Sequence, residues 1–342
     1  MDESGGGVVS TCNVISISGG KDSTAMLTLA IQRKVENIVA VFADTGHEHP
    51  ETYAYVDYLE QSLGIKIHRV KGDFTAEVNA KRQRMINYLI CLDDCGKKDR
   101  HQKGYTRPML ERMIEALQPT GIPFLDLCLW KGRFPSTRAR FCSDELKHKP
   151  LNDFMGPILA NHKTVISWQG IRADESLQRR DLPMHDVEMG SWTPEPDGWL
   201  IYRPIIDWTA EDVFEQHRNF GIKWNPLYEK GMSRVGCMPC IHARKNELTA
   251  IQKSYPEEFE RVAKWERLVS AASKRGIATF YSADTVPGNS RISAEISLDT
   301  HGIDKVGAWA TTSRGGRQFD LITALDVTDS TPKCTSVYGL CE

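Results

Sequence analysis

Nothing in this 342-residue sequence is apolar for long enough to cross a bilayer, and residues 1–12 lack the basic start and apolar run of a secretory signal. The expectation is a cytosolic protein with no membrane contact. No charge of one sign dominates. Lysine and arginine total 43 against 45 acids, a formal net charge of −2, so no global positive field points to nucleic acid. Internal repeats and extended low-complexity tracts are missing too, and the length suits one large domain or two with a sizeable core. Cysteine is present nine times. An odd number in a reducing compartment points to metal ligands, redox thiols or buried apolar residues rather than structural disulfides.

Hydropathy and turn residues predict strand Asn13–Ser18, helix Asp22–Lys34, strand Asn37–Ala43, helix Glu51–Leu63 and strand Lys66–Val70. This β-α-β-α-β order implies an α/β fold, a parallel twisted sheet with helices on both faces and ligands at the carboxyl ends of the strands. Residues 73–131 are more polar and less regular, with a helix at Met109–Leu117, and read as an insertion or lid. Helix Asp144–Ala160 and strand Thr164–Trp168 resume the rhythm. Asp181–Trp199 reads as a surface excursion and Leu200–Ile205 as a strand. Thr209 and Asp212 form a capping box for helix Ala210–Phe220. A charged helix, Pro256–Lys274, leads into a Gly/Ser-rich stretch, with a composition change near Ile277. The expected division is a flexible N-terminus over 1–12, a nucleotide-binding α/β domain over 13–246 with its insertion at 73–131, and a helical, irregular region with a cysteine-bearing tail over 247–342.

The apolar run Val14–Ile17 empties into Ser18-Gly19-Gly20-Lys21-Asp22-Ser23 and then a helix. Glycines let the backbone turn tightly against an anion, and the first helical N–H groups, the helix dipole and the Lys21 charge favour phosphate there. The spacing is not that of the Walker loop. It is the Ser-Gly-Gly-x-Asp-Ser signature of the PP-loop, which grips the pyrophosphate of ATP where the bond between the α and β phosphates is split. At the end of the next strand, Asp44 with Thr45 suits a ribose hydroxyl or an adenine edge. Gly170-Ile171-Arg172 follows the strand Thr164–Trp168, and Arg172 and Arg179, two helical turns apart, can clamp one phosphate or sulfate.

Cys237 and Cys240 form a Cys-x-x-Cys turn, and Cys142 would complete three thiolates for zinc or an iron–sulfur cluster. The fourth position is left to Cys128, Cys334, Cys341, His242, a substrate sulfur or solvent. A redox disulfide between Cys237 and Cys240 or inert buried thiols are the alternatives, and Cys91 with Cys95 reads as ordinary thiols. Lys131, Arg133, Arg138, Arg140, Lys147 and Lys149 crowd around Cys142, and Arg314 and Arg317 recur near the tail. Such cations favour thiolates and anionic substrates, or form a solvated face. The tail cysteine Cys341 could swing into a pocket to attack or carry sulfur.

Taken in order, Ser18–Ser23, Asp44-Thr45-Gly46, Gly170-x-Arg172-x-x-Glu175-Ser176, Pro204-Ile205-Ile206-Asp207-Trp208 and Gly236-Cys237-x-x-Cys240 resemble the phosphoadenosine phosphosulfate (PAPS) reductase family of PP-loop proteins, over about Asn13 to Arg244. The resemblance implies the adenine nucleotide alpha hydrolase-like PP-loop fold. Cys142-Ser143-Asp144 through Lys147 to Pro150-Leu151 is similar to the segment where adenylyl-sulfate (APS) reductases carry a Cys-Cys pair that, with a later Cys-x-x-Cys, holds a [4Fe–4S] cluster. Ser143 replaces the second cysteine here, which implies three protein thiolates and favours sulfur transfer. The unaltered phosphate loop is similar to that of ATP sulfurylase subunits and DNA phosphorothioation sulfurtransferases. Reductases end near a Glu-Cys-Gly nucleophile, which Cys341-Glu342 matches weakly.

The expectation is therefore an enzyme that binds ATP with Mg²⁺, or PAPS or APS, through Ser18, Gly19, Gly20, Lys21, Asp22, Ser23, Asp44, Thr45 and Gly170. Arg172, Arg179 and Lys147 would bind phosphate or sulfate. Lys21, Arg172 and Cys341 would be catalytic, beside a cluster or, as the alternative, zinc on Cys142, Cys237 and Cys240. Sulfur transfer linked to adenylylation is the leading activity, with a sulfur donor protein as partner. The alternatives are a thioredoxin-dependent reductase and a non-catalytic nucleotide-binding accessory of a nucleic-acid modification or defence complex. A homo-oligomer is expected.

Overall fold

The computed structural model describes residues 11–94, 104–162, 164–175, 177–187 and 199–313. The chain opens with β1 (Thr11–Ile17), α1 (Lys21–Gln32), β2 (Ile38–Asp44), α2 (Pro50–Leu63) and β3 (Ile67–Lys71), the expected order with ends displaced by a residue or two. Then come α3 (Thr75–Asp94), α4 (Arg107–Ala116), α5 (Pro123–Lys131), the single turn α6 (Phe141–Ser143), a π-type turn at Asp144–His148 and α7 (Lys149–Asn161). β4 (Thr164–Trp168), the short α8 (Leu177–Arg180), β5 (His185–Val187) and β6 (Trp199–Tyr202) lead to α9 (Ala210–Phe220). The remaining helices are α10 (Lys245–Ser254), α11 (Pro256–Ala272), α12 (Leu298–His301) and α13 (Ile303–Ala310).

The six strands form one sheet in the order β3-β2-β1-β4-β6-β5. Every neighbouring pair is parallel except the edge strand β5, which runs antiparallel to β6. Alternation along β1 sends side chains to both faces. Ile15 and Ile17 pack with Met26 and Leu27 of α1 and with Val56 and Leu59 of α2, while Cys12 and Val14 pack with Val165 and with Leu151 and Met155 of α7. Burial on both sides explains the nearly continuous apolar run that marks this strand in the sequence.

Helix α3 fills much of the segment that reads as polar and irregular. Its buried Val78 and Met85 are separated by Lys81, Arg82 and Arg84, which dilute the helical period. The three residues of β5 are too few to show alternation, so the same stretch reads as a surface excursion. A single apolar cluster joins Val78, Leu110 and Leu127 to Leu248, Phe259, Val269 and Ile303, uniting the 73–131 segment with the later helices. The expected capping box opens α9: Asp212 N–H donates to Thr209 Oγ1 at 3.2 Å and Thr209 N–H to Asp212 Oδ2 at 2.7 Å.

Glu266 of α11 ties this helical body together. Its carboxylate accepts from Phe280 N–H at 2.7 Å and from Ile303 N–H at 2.9 Å, and the side chain is buried. Burial pushes its pKa up to about 7 even though both amides favour the charged form. The folded protein thus keeps a proton that the unfolded chain loses near the ordinary value of 4.5. The resulting stabilisation is complete below that value and falls by about 3 kcal/mol as pH rises through the folded pKa. Glu266→Gln should flatten this part of the stability profile, measured as unfolding free energy against pH. An unchanged profile in the variant would contradict the assignment.

Candidate active site

β1 hydrogen-bonds to β2 on one side and to β4 on the other, so connections leave these strands in opposite directions. In an open α/β sheet the crevice at such carboxyl ends receives ligands. The loop after β1 enters it with Gly19 at φ +79°, and Gly20 is the N-cap of α1. Ser18 N–H donates to Ser23 Oγ at 3.2 Å, Gly20 N–H to Ser18 Oγ at 3.3 Å and Lys21 N–H to the Tyr228 hydroxyl at 3.0 Å. Rotatable hydroxyls therefore hold amides of the kind that phosphate oxygens accept from at a helix N-terminus.

The loop's charges are organised by burial. Asp22 is fully buried, 2.7 Å from Lys21 Nζ and 2.6 Å from Arg172 Nε. Arg172 also binds Asp174 at 2.6 Å, and Arg179 pairs with Glu175. Gly170 lies so near the loop that a Cβ there would stand 3.3 Å from Ser23 N. His217 Nε2–H of α9 donates to Lys21 O at 2.9 Å, and beyond that helix Asn225 Nδ2 donates to Gly19 O at 3.1 Å. Lys21, Arg172 and Arg179 then face a cavity of about 690 Å³, joined by Arg234 and Arg244 and by the acids Asp174, Glu175 and Glu247. The volume falls within the range of small-molecule sites, and the balance of charge favours an anion.

The Cys-x-x-Cys turn is gripped by the end of β2. Met238 N–H donates to His47 O and His47 Nε2–H to Pro239 O, both at 2.9 Å. Thr45 Oγ1 lies 3.5 Å and Glu48 Oε1 3.8 Å from Cys237 Sγ. Burial holds His47 well below the usual imidazole range, so its ring is neutral at neutral pH. Cys142, Cys237 and Cys240 line one small cavity of about 40 Å³ together with Thr45 and Lys147. Its wall of Arg234, Ile241, His242 and Glu247 also belongs to the large cavity.

Burial pushes the Cys142 thiol up to about 11, with Cys240 adding to the shift and Lys147 opposing it. Burial, followed by the Glu48 carboxylate, raises Cys237 as well. Among the described residues no three His, Cys, Asp or Glu side chains are placed to hold one metal ion. A single zinc needs all its sulfurs about 2.3 Å from one point. A cluster binds each thiolate to a different iron and so suits thiols spread around a cavity. Cys142, Cys237 and Cys240 border one cavity, and thiols of this kind are the donors that a cluster takes.

The structure brings Lys21, Arg172 and Arg179 to the large cavity and Thr45, Lys147, Cys142, Cys237 and Cys240 to the small one. Ser18, Ser23 and Gly170 shape the loop. Asp44 lies elsewhere in the turn: its Oδ1 accepts from Gly46 N–H at 2.8 Å and from the Tyr53 hydroxyl at 2.7 Å. Cys341, Cys334, Arg314, Arg317, Cys95 and Ser176 lie outside the described residues. Sequence reasoning missed Arg234, Arg244 and Tyr228. Arg234, three residues before Cys237, could have been noticed; Tyr228 carries no local signal.

The family model for the phosphoadenosine phosphosulfate reductase domain matches residues 12–243. The chain belongs to that family. A 37.8 kDa protein of Escherichia phage 186 is 48% identical over 338 residues, covering 97% of each chain. Phosphoadenosine 5′-phosphosulfate reductase of Vibrio vulnificus is 23% identical over 224 residues, 66% of this chain and 64% of that enzyme. Among solved structures, phosphoadenylyl-sulfate reductase from Candida auris in its phosphate complex aligns with a TM-score of 0.39 and 15% identity, over 67% of this chain and 82% of that one. Within the family's matched span lie both the phosphate loop and the Cys-x-x-Cys turn. No helix among the described residues is long and apolar enough to cross a membrane.

Proposed function

We propose that this chain is an enzyme that binds ATP, or a related adenylyl nucleotide, in the large cavity and couples adenylylation of an acceptor to sulfur transfer at the cysteine cavity. The observation that carries this reading is the shared wall: Arg234, Ile241, His242 and Glu247 border both spaces. A nucleotide whose phosphates lie on the β1–α1 loop then has its reacting end beside three thiols. Lys21, Arg172 and Arg179 would offset the phosphate charge, with Mg²⁺ as the accompanying cation.

In the first step an acceptor oxygen attacks the α-phosphorus. The new O–P bond forms as the bridge to the β-phosphorus breaks, and pyrophosphate departs with the electron pair. Sulfur from a donor protein, delivered as hydrosulfide, then displaces AMP from the acceptor carbon. Thr45 and Glu48 hold Cys237 in place for this step, and Lys147 adds positive charge. Cys142, Cys237 and Cys240 would hold a [4Fe–4S] cluster, which when bound supplies a soft Lewis acid for sulfur.

Protein purified without oxygen should bind ATP in calorimetry and release pyrophosphate in the presence of its acceptor, and Lys21→Ala should weaken ATP binding by about tenfold or more. Iron and sulfide should accompany the wild type and be lost from Cys142→Ala. Absence of adenine nucleotide binding would contradict the proposal. Sulfite released from PAPS or APS with thioredoxin, and lost in Cys341→Ser, would instead select the reductase reading, which the Vibrio relative's name supports.

A further inference from the structure

Behind this site the helical body carries a second large groove, about 810 Å³, between α3, α5 and the turn that follows α11. Six cations line it: Lys81, Arg84, Lys131, Arg133, Lys274 and Arg275. Among the described lining residues the one acid is Glu77, although Lys131 also reaches Glu145 at 3.1 Å. A chain with a formal net charge of −2 thus gathers positive charge on one face. Lys81 is half-buried, its Nζ donating to Leu129 O at 2.8 Å and to Ala272 O at 3.3 Å. Burial, and then the Arg84 charge, lowers its pKa to about 8. Lys81 and Arg84 repel one another, and an anion laid beside them relieves that cost.

Aromatic rings are interleaved with the charges. Tyr88 and Tyr105 lie with ring centroids 5.6 Å apart, and Lys274 Nζ stands 4.3 Å from the Tyr105 centroid. Lys131 Nζ stands 3.6 Å from the centroid of Trp130. Tyr88 and Tyr105 are half-buried, whereas Trp130 is covered by Phe74, stacked at 5.9 Å, and by Lys131. Cations alone would suit an acidic protein surface. Rings between cations suit a ligand that alternates phosphates with flat bases.

The groove abuts the active site. Residues 130–134 and 277–279 line it, and the continuations of the same two segments, 135–137 and 280–282, line the nucleotide cavity. Phe134 and Phe280, with ring centroids 5.3 Å apart, form the partition.

We propose that this groove binds single-stranded nucleic acid, its phosphates on the six cations and its bases stacked on Tyr88 and Tyr105, and thereby presents a nucleotide as acceptor to the sulfur site. The presentation step rests on the reading given under Proposed function; the binding step does not.

Fluorescence anisotropy of the full chain with a labelled oligodeoxythymidylate of about 20 nucleotides, and with the matching oligouridylate, tests it. Either polymer should bind, more weakly as salt rises. Arg84→Glu with Arg133→Glu, both at exposed positions, should lower affinity by about tenfold or more and flatten the salt dependence. Tyr105→Ala should weaken the base-bearing oligomer by about tenfold and leave an abasic oligomer of equal length unaffected. ATP binding should persist in each variant. Protein that binds ATP but neither polymer, variants that bind like the wild type, or equal displacement of the oligomer by polyglutamate would overturn the proposal. Oligomer binding without ATP binding would support the groove and overturn the nucleotide reading instead.

Discussion

Replacing Arg172 with methionine should lower the unfolding free energy by about 3–5 kcal/mol, the cost of breaking a buried ion pair from one side. Arg172 is 5% exposed and its Nε lies 2.6 Å from Asp22, which has no solvent exposure. Methionine restores much of the apolar stem but no charge, and Lys21, 2.7 Å from Asp22, stays in place. The loss should also reach the phosphate loop, because Asp22 is part of it. Adding Asp22→Asn should recover part of the stability, since the uncompensated charge is then gone. Denaturant unfolding of the two single variants and the double variant measures this coupling. A single variant within about 1 kcal/mol of the wild type would show that the pair is not buried as described.

Gly19→Ala should weaken adenine nucleotide binding by about ten- to a hundredfold, an effect with two separable origins. At φ +79° a side chain is strained by about 1–2 kcal/mol. A Cβ at this position would also stand 2.7 Å from Thr52 Cγ2, too close for any side chain to accept without movement. The loop can relieve both costs by swinging away from α2, which would scatter the amides of Ser18, Gly20 and Lys21. In Gly19→Ala with Thr52→Ser the methyl clash disappears and the backbone strain remains, so part of the affinity should return. Calorimetric titration of ATP into both variants separates the terms. Wild-type affinity in Gly19→Ala would remove the loop from the binding site.

Local information made the sheet legible. The apolar run of β1, the glycine pair after it and the Thr209–Asp212 box each act over a few residues, and each stands as the sequence indicates. Helix α3 was hidden because Lys81, Arg82 and Arg84 stand between its buried Val78 and Met85 and dilute the apolar period. The sequence names Cys142, Cys237 and Cys240, but their meeting depends on contacts between distant segments, His47 with Met238 and Pro239 above all. No spacing rule reports that grip. The phosphate-loop motif likewise names Asp22 without showing that its carboxylate is enclosed by Lys21 and Arg172. Arg234 enters the site through burial beside Glu247, at 3.3 Å, and through the cavities it borders, both consequences of tertiary packing.

A crystal structure of the protein purified without oxygen and soaked with a non-cleavable ATP analogue tests the central claim most directly. The account predicts triphosphate oxygens on the loop from Ser18 to Ser23, with the α-phosphorus turned toward the wall formed by Arg234 and His242, beyond which the three cysteines lie. A nucleotide seated away from that loop, or one whose α-phosphorus faces away from the cysteine cavity, would contradict it.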